Sequence, residues 1–302
     1  MESMHVPPGA VVVGVDGSPS SDQALTWAAE EAFREARALV VAHAAPPPSP
    51  TSSAWLMSVG VNHHQVVQQL RDESRALLDR AQEKAVAAHP GLEVHQAIRL
   101  TDPRDALLEL AREAHLVVVG SRGLGPVRSL LLGSVSLALA KHSPAPVVVT
   151  RHLDETRTPG GVLVAVSNDG TDRRALEIAF EIADAREMPL TALHCFWDMA
   201  KISQGAVDVP DDEPGLDDER ARLRDAVRHL EERYPDVPVH LQLTRGFVDA
   251  RLLRASEHAD LLVLGHQPKP LLNEFVYGSV APEVVEHAKC SVVVVTQPEV
   301  MS

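Results

Sequence analysis

Residues 114–150 read AHLVVVGSRGLGPVRSLLLGSVSLALAKHSPAPVVVT, and residues 259–295 read ADLLVLGHQPKPLLNEFVYGSVAPEVVEHAKCSVVVV. At a constant lag of 145, Gly120 falls on Gly265, Gly133 on Gly278, Ser134 on Ser279, Val135 on Val280 and His142 on His287. All 37 positions align without a gap. A unit of this size exceeds the roughly 20–50 residues of solenoid repeats, so it is a duplicated globular domain.

The starts of the two copies match as well. Val11-Val12-Val13-Gly14-Val15-Asp16 corresponds to Val162-Leu163-Val164-Ala165-Val166-Ser167, now at a lag of 151. The lag shrinks along the chain, so the second copy is shorter in its middle. The polar, Pro- and Gly-containing stretch from Asp154 to Gly161 is the natural junction. This divides the chain into domains at 1–155 and 156–302.

Within each copy, strand-like apolar runs alternate with helix-like stretches, which predicts a doubly wound α/β domain with a parallel sheet. Copy one opens with a strand over Ala10–Val15, and a helix follows with Ser20 or Ser21 as N-cap. Leu39–Ala44 is the second strand. A Pro-rich loop (Pro46, Pro47, Pro48, Pro50), with His63-His64 also in a loop, leads to a long helix. Its apolar stripe is Val66, Leu70, Leu77, Ala81 and Ala85. Strand three lies around Glu93–Leu100, and Asp102-Pro103 places a capping residue before a proline at the first helical position. Leu116–Val119 and Pro146–Thr150 are the last strands, with a short helix from Ser134 between them. Copy two repeats the order, with the acidic stretch Asp208–Glu219 read as a solvated surface loop. The sheet count is five strands per domain, and ligands of such sheets bind at the carboxyl ends of the strands.

Composition excludes several classes. Aromatics are only 3% against 45% hydrophobic residues, so the cores are built from Val, Ala and Leu. A formal charge of −14 argues against nucleic acid, whose affinity comes from Lys and Arg on phosphates. No segment approaches the roughly 18 apolar residues of a membrane span, and Met1–Ala10 has no signal-peptide pattern. Two cysteines in apolar runs, Cys195 and Cys290, fit a cytoplasmic protein with buried thiols. The histidines are scattered without metal-ligand spacing, and His43 and His194 hold equivalent strand-end positions suited to packing or backbone hydrogen bonding.

The sharpest local signal is Gly120-Ser121-Arg122-Gly123, nine further residues, then Gly133-Ser134. A glycine leaving a strand admits a ligand close to the backbone, and Gly133-Ser134 opens a helix whose free N–H groups attract an anion. Arg122 adds charge, and Asp16 at the tip of the first strand can accept hydrogen bonds from ribose hydroxyls. Walker-type GxxxxGK[ST] and the dinucleotide GxGxxG after strand one are both absent.

The V-G-V-D-G-S start, the G-x2-G-x9-G-S loop and the closing P-V-V-V-T strand together resemble the universal stress protein family in its tandem form. The loop is that family's ATP-binding signature. By this resemblance, Asp16 meets the ribose, and Ala44 contacts adenine through its backbone. Val119 and Gly120 line the ribose and phosphate side, while Arg122, Gly123, Gly133, Ser134 and Val135 surround the triphosphate, with Mg²⁺ on its oxygens. The resemblance also implies a homodimer through the edge strands Val147–Thr150 and Val292–Thr296.

Copy two keeps Gly265, Gly278, Ser279 and Val280 as a possible second site, but it departs at three points. Pro268 replaces Gly123, His266-Gln267 replaces Ser121-Arg122, and Ser167 replaces Asp16, with Asp169 two residues on. Weak or no ATP binding is expected there. No catalytic set is evident, so the expectation is an ATP-binding regulatory or stress-response module with protein partners still to be found. The alternatives are an ATP-hydrolysing or adenylating enzyme and a nucleotide-independent interaction module.

Overall fold

The computed structural model describes residues 6–47, 49, 62–123, 132–152, 160–167, 172–203, 207–266 and 280–296. The chain forms two compact units, Met1–Thr150 and Arg151–Ser302.

In the first unit, β1 (Val11–Gly14), α1 (Pro19–Arg34), β2 (Leu39–Ala44), α2 (His63–Ala88) and β3 (Val94–Arg99) come first. After them come α3 (Pro103–Leu110), β4 (Leu116–Gly120), α4 (Ser134–His142) and β5 (Val147–Thr150). The strands run parallel in the order β3-β2-β1-β4-β5. Val11 pairs with Leu39 on one side and with Leu116 on the other, so the chain order reverses at β1. The crevice at the carboxyl ends of β1 and β4 is therefore the ligand position of a doubly wound sheet. Val11, Val12, Val13, Val117 and Val118 are completely buried. At about 1.5–3 kcal/mol per fully buried side chain, this run of valines is the main stabilising term of the sheet.

The second unit repeats the plan with β6 (Val162–Val166), α5 (Arg173–Ala185), β7 (Leu190–Phe196), α6 (Met199–Ile202), α7 (Asp217–Arg233) and β8 (Val239–Arg245). It ends with α8 (Val248–Ser256), β9 (Leu261–His266), α9 (Val280–His287) and β10 (Ser291–Thr296). Its strands are again parallel, in the order β10-β9-β6-β7-β8. The expected α/β class, with a five-stranded parallel sheet in each domain, is what the described residues form.

Four expectations need correction. The N-cap of α1 is Ser18, not Ser20 or Ser21: its backbone is extended, Pro19 takes the first helical position, and the Ser18 hydroxyl oxygen accepts from Ser21 N–H at 3.2 Å. On α2 the buried stripe is Ser74, Leu78, Ala81 and Ala85. Leu77, four and eight residues from the two alanines, shares their side of the helix but is only half-buried, while Leu78 together with Ser74 takes the centre of the buried stripe. His63-His64 opens this helix, with Asn62 as N-cap, instead of lying in a loop.

The fourth correction is the acidic stretch of copy two. Val207 O accepts from Arg245 N–H at 2.9 Å, and Asp208 bridges antiparallel to Thr244, so the segment is held along β8. Glu213 pairs with the Arg245 guanidinium at 2.6 Å, and Asp198 lies 3.4 Å from its Nε. The Arg245 side chain is only 1% exposed, with the Phe196 ring 5.3 Å away. A buried guanidinium requires such partners, so part of this acidic run is structural. Residues 154–159 of the junction, and Pro48 and Pro50 of the Pro-rich stretch, fall outside the described residues.

Candidate functional site

The site is built at the carboxyl end of the first sheet, beginning with Asp16. Its Oδ1 accepts from Ser18 N–H at 2.9 Å, and its own N–H donates to Ser21 Oγ at 3.3 Å. Gly17 between them has a φ of 82°, the left-handed conformation that favours glycine. The strand-to-helix turn thereby fixes the carboxylate beside the start of α1.

Two glycines of the β4 loop are required by close approach. A β-carbon on Gly120 would lie 2.4 Å from Ser20 Oγ and 2.7 Å from Ser20 backbone atoms. One on Gly123 would lie 2.4 Å from Asp16 Oδ2. Ser20 packs the loop from below, and its Oγ accepts from Arg122 N–H at 3.3 Å. The far end of the loop closes back on itself, since Gly133 N–H donates to Ser121 O at 2.8 Å. Ser136 Oγ then donates to Gly120 O at 2.7 Å, locking the first turn of α4 onto the end of β4.

Gly133 is the N-cap of α4, and no side chain caps this terminus. The first N–H groups of a helix have no partner within it, so this end attracts an anion. On the opposite wall, His43 Nδ1 is 2.7 Å from Val15 O, which orients the imidazole along the cleft. Arg99, at the end of β3, pairs in register with Ala44.

These groups enclose one cavity of about 610 Å³. All nine residues expected from the sequence line it: Asp16, Ala44, Val119, Gly120, Arg122, Gly123, Gly133, Ser134 and Val135. Sequence reasoning missed the wall formed by α3 (Ala106, Leu107, Leu110) and the polar groups of His43 and Arg99. Arg99 was within reach, because it stands beside Ala44 once β2 and β3 are paired. The α3 wall is pinned by Asp102, whose carboxylate accepts from Arg104 N–H at 2.9 Å. Hydrogen bonds from the Arg104 side chain and backbone hold the Asp102 carboxyl at about 2, well below the usual range.

The second unit is arranged differently. Gly265 is the last residue but one of β9, where it pairs with Val295, and Val280 opens α9. Gly278, Ser279, Pro268 and Asp169 lie outside the described residues. Ser167 donates its N–H to the carboxylate of Asp172, which stands at the position of Ser21. The carboxylate at this corner thus comes from the start of the helix instead of the strand tip. His194 repeats His43, with Nδ1 2.7 Å from Val166 O, as the equivalence of the two positions implied. Cys195 takes the place of Ala44, and burial pushes its thiol up to about 11 while its Sγ donates to Gly246 O at 3.2 Å. Among the described residues, no group of three His, Cys, Asp or Glu side chains can hold a metal ion, and no helix is long and apolar enough to cross a membrane.

The model of the Universal stress protein family matches residues 9–151 and again residues 161–296. A universal stress protein of Mycobacterium tuberculosis strain H37Rv is 32% identical over 312 residues, covering 96% of this chain and 95% of the relative. One from Mycolicibacterium smegmatis is 32% identical over 295 residues, covering 94% and 96%. Among solved structures, a universal stress protein from Archaeoglobus fulgidus has the same fold, with a TM-score of 0.71 at 18% identity, covering 97% of this chain and 100% of that one.

Proposed function

The chain belongs to the universal stress protein family, and from that premise we propose that its first domain is an ATP-binding module acting in regulation or stress response. The observation carrying this reading is that nine residues chosen from sequence line a single cavity. Its volume, about 610 Å³, lies within the roughly 300–1,000 Å³ usual for ligand pockets. Its chemistry is graded along its length. Backbone and small side chains at Ala42–Ala44 with the α3 wall offer a flat apolar slot for adenine. Asp16 offers a carboxylate to ribose hydroxyls. Arg122, the β4 loop and the uncapped start of α4 offer cationic and N–H groups to the phosphates. Mg²⁺ would enter on phosphate oxygens, with few protein ligands.

Among the described residues no nucleophile–base pair stands beside the phosphate end, and we assign the nucleotide a regulatory role with at most slow, incidental hydrolysis. The second domain, with Ser167 for Asp16 and Pro268 for Gly123, is assigned no equivalent nucleotide. The proposal includes a cytoplasmic location and self-association. A solution mass of 32.6 kDa by light scattering would remove the latter.

The deciding experiment is identification by mass of the nucleotide released on denaturing the purified protein, followed by calorimetric titration with ATP. One ATP per chain, lost in Gly123→Asp, is the expected result. Two equivalent sites, or steady-state turnover well above background that disappears in Asp16→Ala, would overturn the reading.

A further inference from the structure

The second unit has its own cleft between sheet and helix, of about 220 Å³. It corresponds to part of the first cavity. Strand pairing matches Leu39 and Val94 in one unit to Leu190 and Val239 in the other, and α8 lies 145 residues after α3. On that register, Leu193, Thr244, Arg251 and Ala255 line the second cleft where Ala42, Arg99, Ala106 and Leu110 line the first.

The chemistry of the place has changed. Ala106, only 1% exposed, becomes Arg251; Glu109 becomes Arg254; Glu113 becomes His258; Val40 becomes Thr191; and Ala97 becomes Gln242. Five positions around one cleft move from apolar or acidic to polar or basic. Arg251 and Arg254 sit three residues apart on α8, so their guanidiniums share a face.

These two guanidiniums make no hydrogen bond or ion pair among the described residues, although the domain is rich in carboxylates. Arg245, in the same unit, is bracketed by Glu213 and Asp198. One carboxylate, Asp208, also lines the cleft, against the two guanidiniums and His258. The volume is about a third of the first cavity, too small for a nucleoside triphosphate but suited to a compact group.

We propose that this cleft is a second ligand site, one that binds a single phosphate group through the paired forks of Arg251 and Arg254, with Thr191 and Gln242 as neutral partners. Planar guanidiniums match a tetrahedral oxyanion two oxygens at a time, which a lone ammonium cannot do. The phosphate comes either as the free ion or as the head of a small monoester. The site does not depend on the nucleotide reading of the first domain, and it stands if that domain takes no ATP.

The test is calorimetry on the full chain with inorganic phosphate and, separately, glycerol phosphate. The expected result is one saturable site per chain for at least one of them, the tighter of the two identifying the source. Affinity should be unchanged by Arg122→Ala, which removes one of the two arginines of the first domain's loop. It should fall at least about tenfold in Arg251→Ala and in Arg254→Ala. Arg251→Lys, which keeps the charge on a fold-neutral side chain, should retain part of the affinity. Absence of saturable binding in the millimolar range would overturn the proposal, as would binding abolished by Arg122→Ala and indifferent to Arg251→Ala.

Discussion

At residue 123 the side chain is set by its neighbour across the cleft. A β-carbon there would stand 2.4 Å from Asp16 Oδ2, so Gly123→Ala must move the carboxylate that we assign to the ribose. ATP affinity is expected to drop about tenfold in Gly123→Ala and about tenfold or more in Asp16→Ala, since hydrogen bonds to charged groups contribute about 1.5–3 kcal/mol. Thermal stability should barely move, because Gly123 is exposed. The pair should be non-additive by calorimetry: with Asp16 already removed, the added methyl group meets nothing and costs little more. Strictly additive losses would show that the two residues act independently. The cavity lining was legible through the spacing of Gly120, Gly123 and Gly133 and, for Ala44, Val119 and Val135, through the family resemblance. Ser18 carried the same mark as Asp102, a proline at the next position, whereas nothing in the sequence separated Leu78 from Leu77 or marked Asp172.

Helix α3 forms one wall of the first cavity, and its start depends on Asp102. Replacing Asp102 by Ala removes the side-chain cap and should lower stability by about 1 kcal/mol in denaturant unfolding, whereas Asn, which caps as well, should cost far less. The pH dependence follows from the same group. Its folded pKa, about 2, lies below the roughly 3.9 of an unfolded Asp, so its contribution is present above that unfolded value and is lost as pH falls through 2. Acid unfolding of the parent should therefore be steeper in this range than that of Asp102→Asn. In the second unit, β8 and the acidic run beside it are joined through Arg245. Hydrogen bonding and charge from Arg245 hold the Glu213 carboxyl below its usual range against some desolvation. Glu213→Ala should lower the melting temperature and speed amide exchange at Arg245, whose N–H donates to Val207 O. Unchanged exchange there would mean that the backbone bridge alone holds the segment. The alternating strands and capped helices were readable from periodicity. The role of the acidic run was not, because its partners, Arg245 first and Lys201 beside it, lie outside the run in sequence.

Each of the two units has its own sheet and buried core, and the two clefts are assigned different ligands, so the units should respond to ligands separately. A ligand that binds only the folded state raises the stability of that state by about 2.7 kcal/mol at a hundredfold excess over its dissociation constant. For a unit of this size that corresponds to a rise of about 5–10 °C in its transition. Scanning calorimetry of the full chain is expected to resolve two transitions, one raised by ATP and the other raised by the phosphate ligand of the Arg251 cleft. Arg251→Ala should remove the second shift and leave the first, while Gly123→Asp should do the reverse. A single cooperative transition moved by both ligands would contradict the separation and would instead require the two sheets to unfold as one body. Duplication makes the separate response physically available, since two copies with the same strand order can share a fold while their clefts diverge. The separate response follows from what differs at the clefts: the strand is retained at Val11–Val15 and Val162–Val166, while Ala106 and Glu109 give way to Arg251 and Arg254.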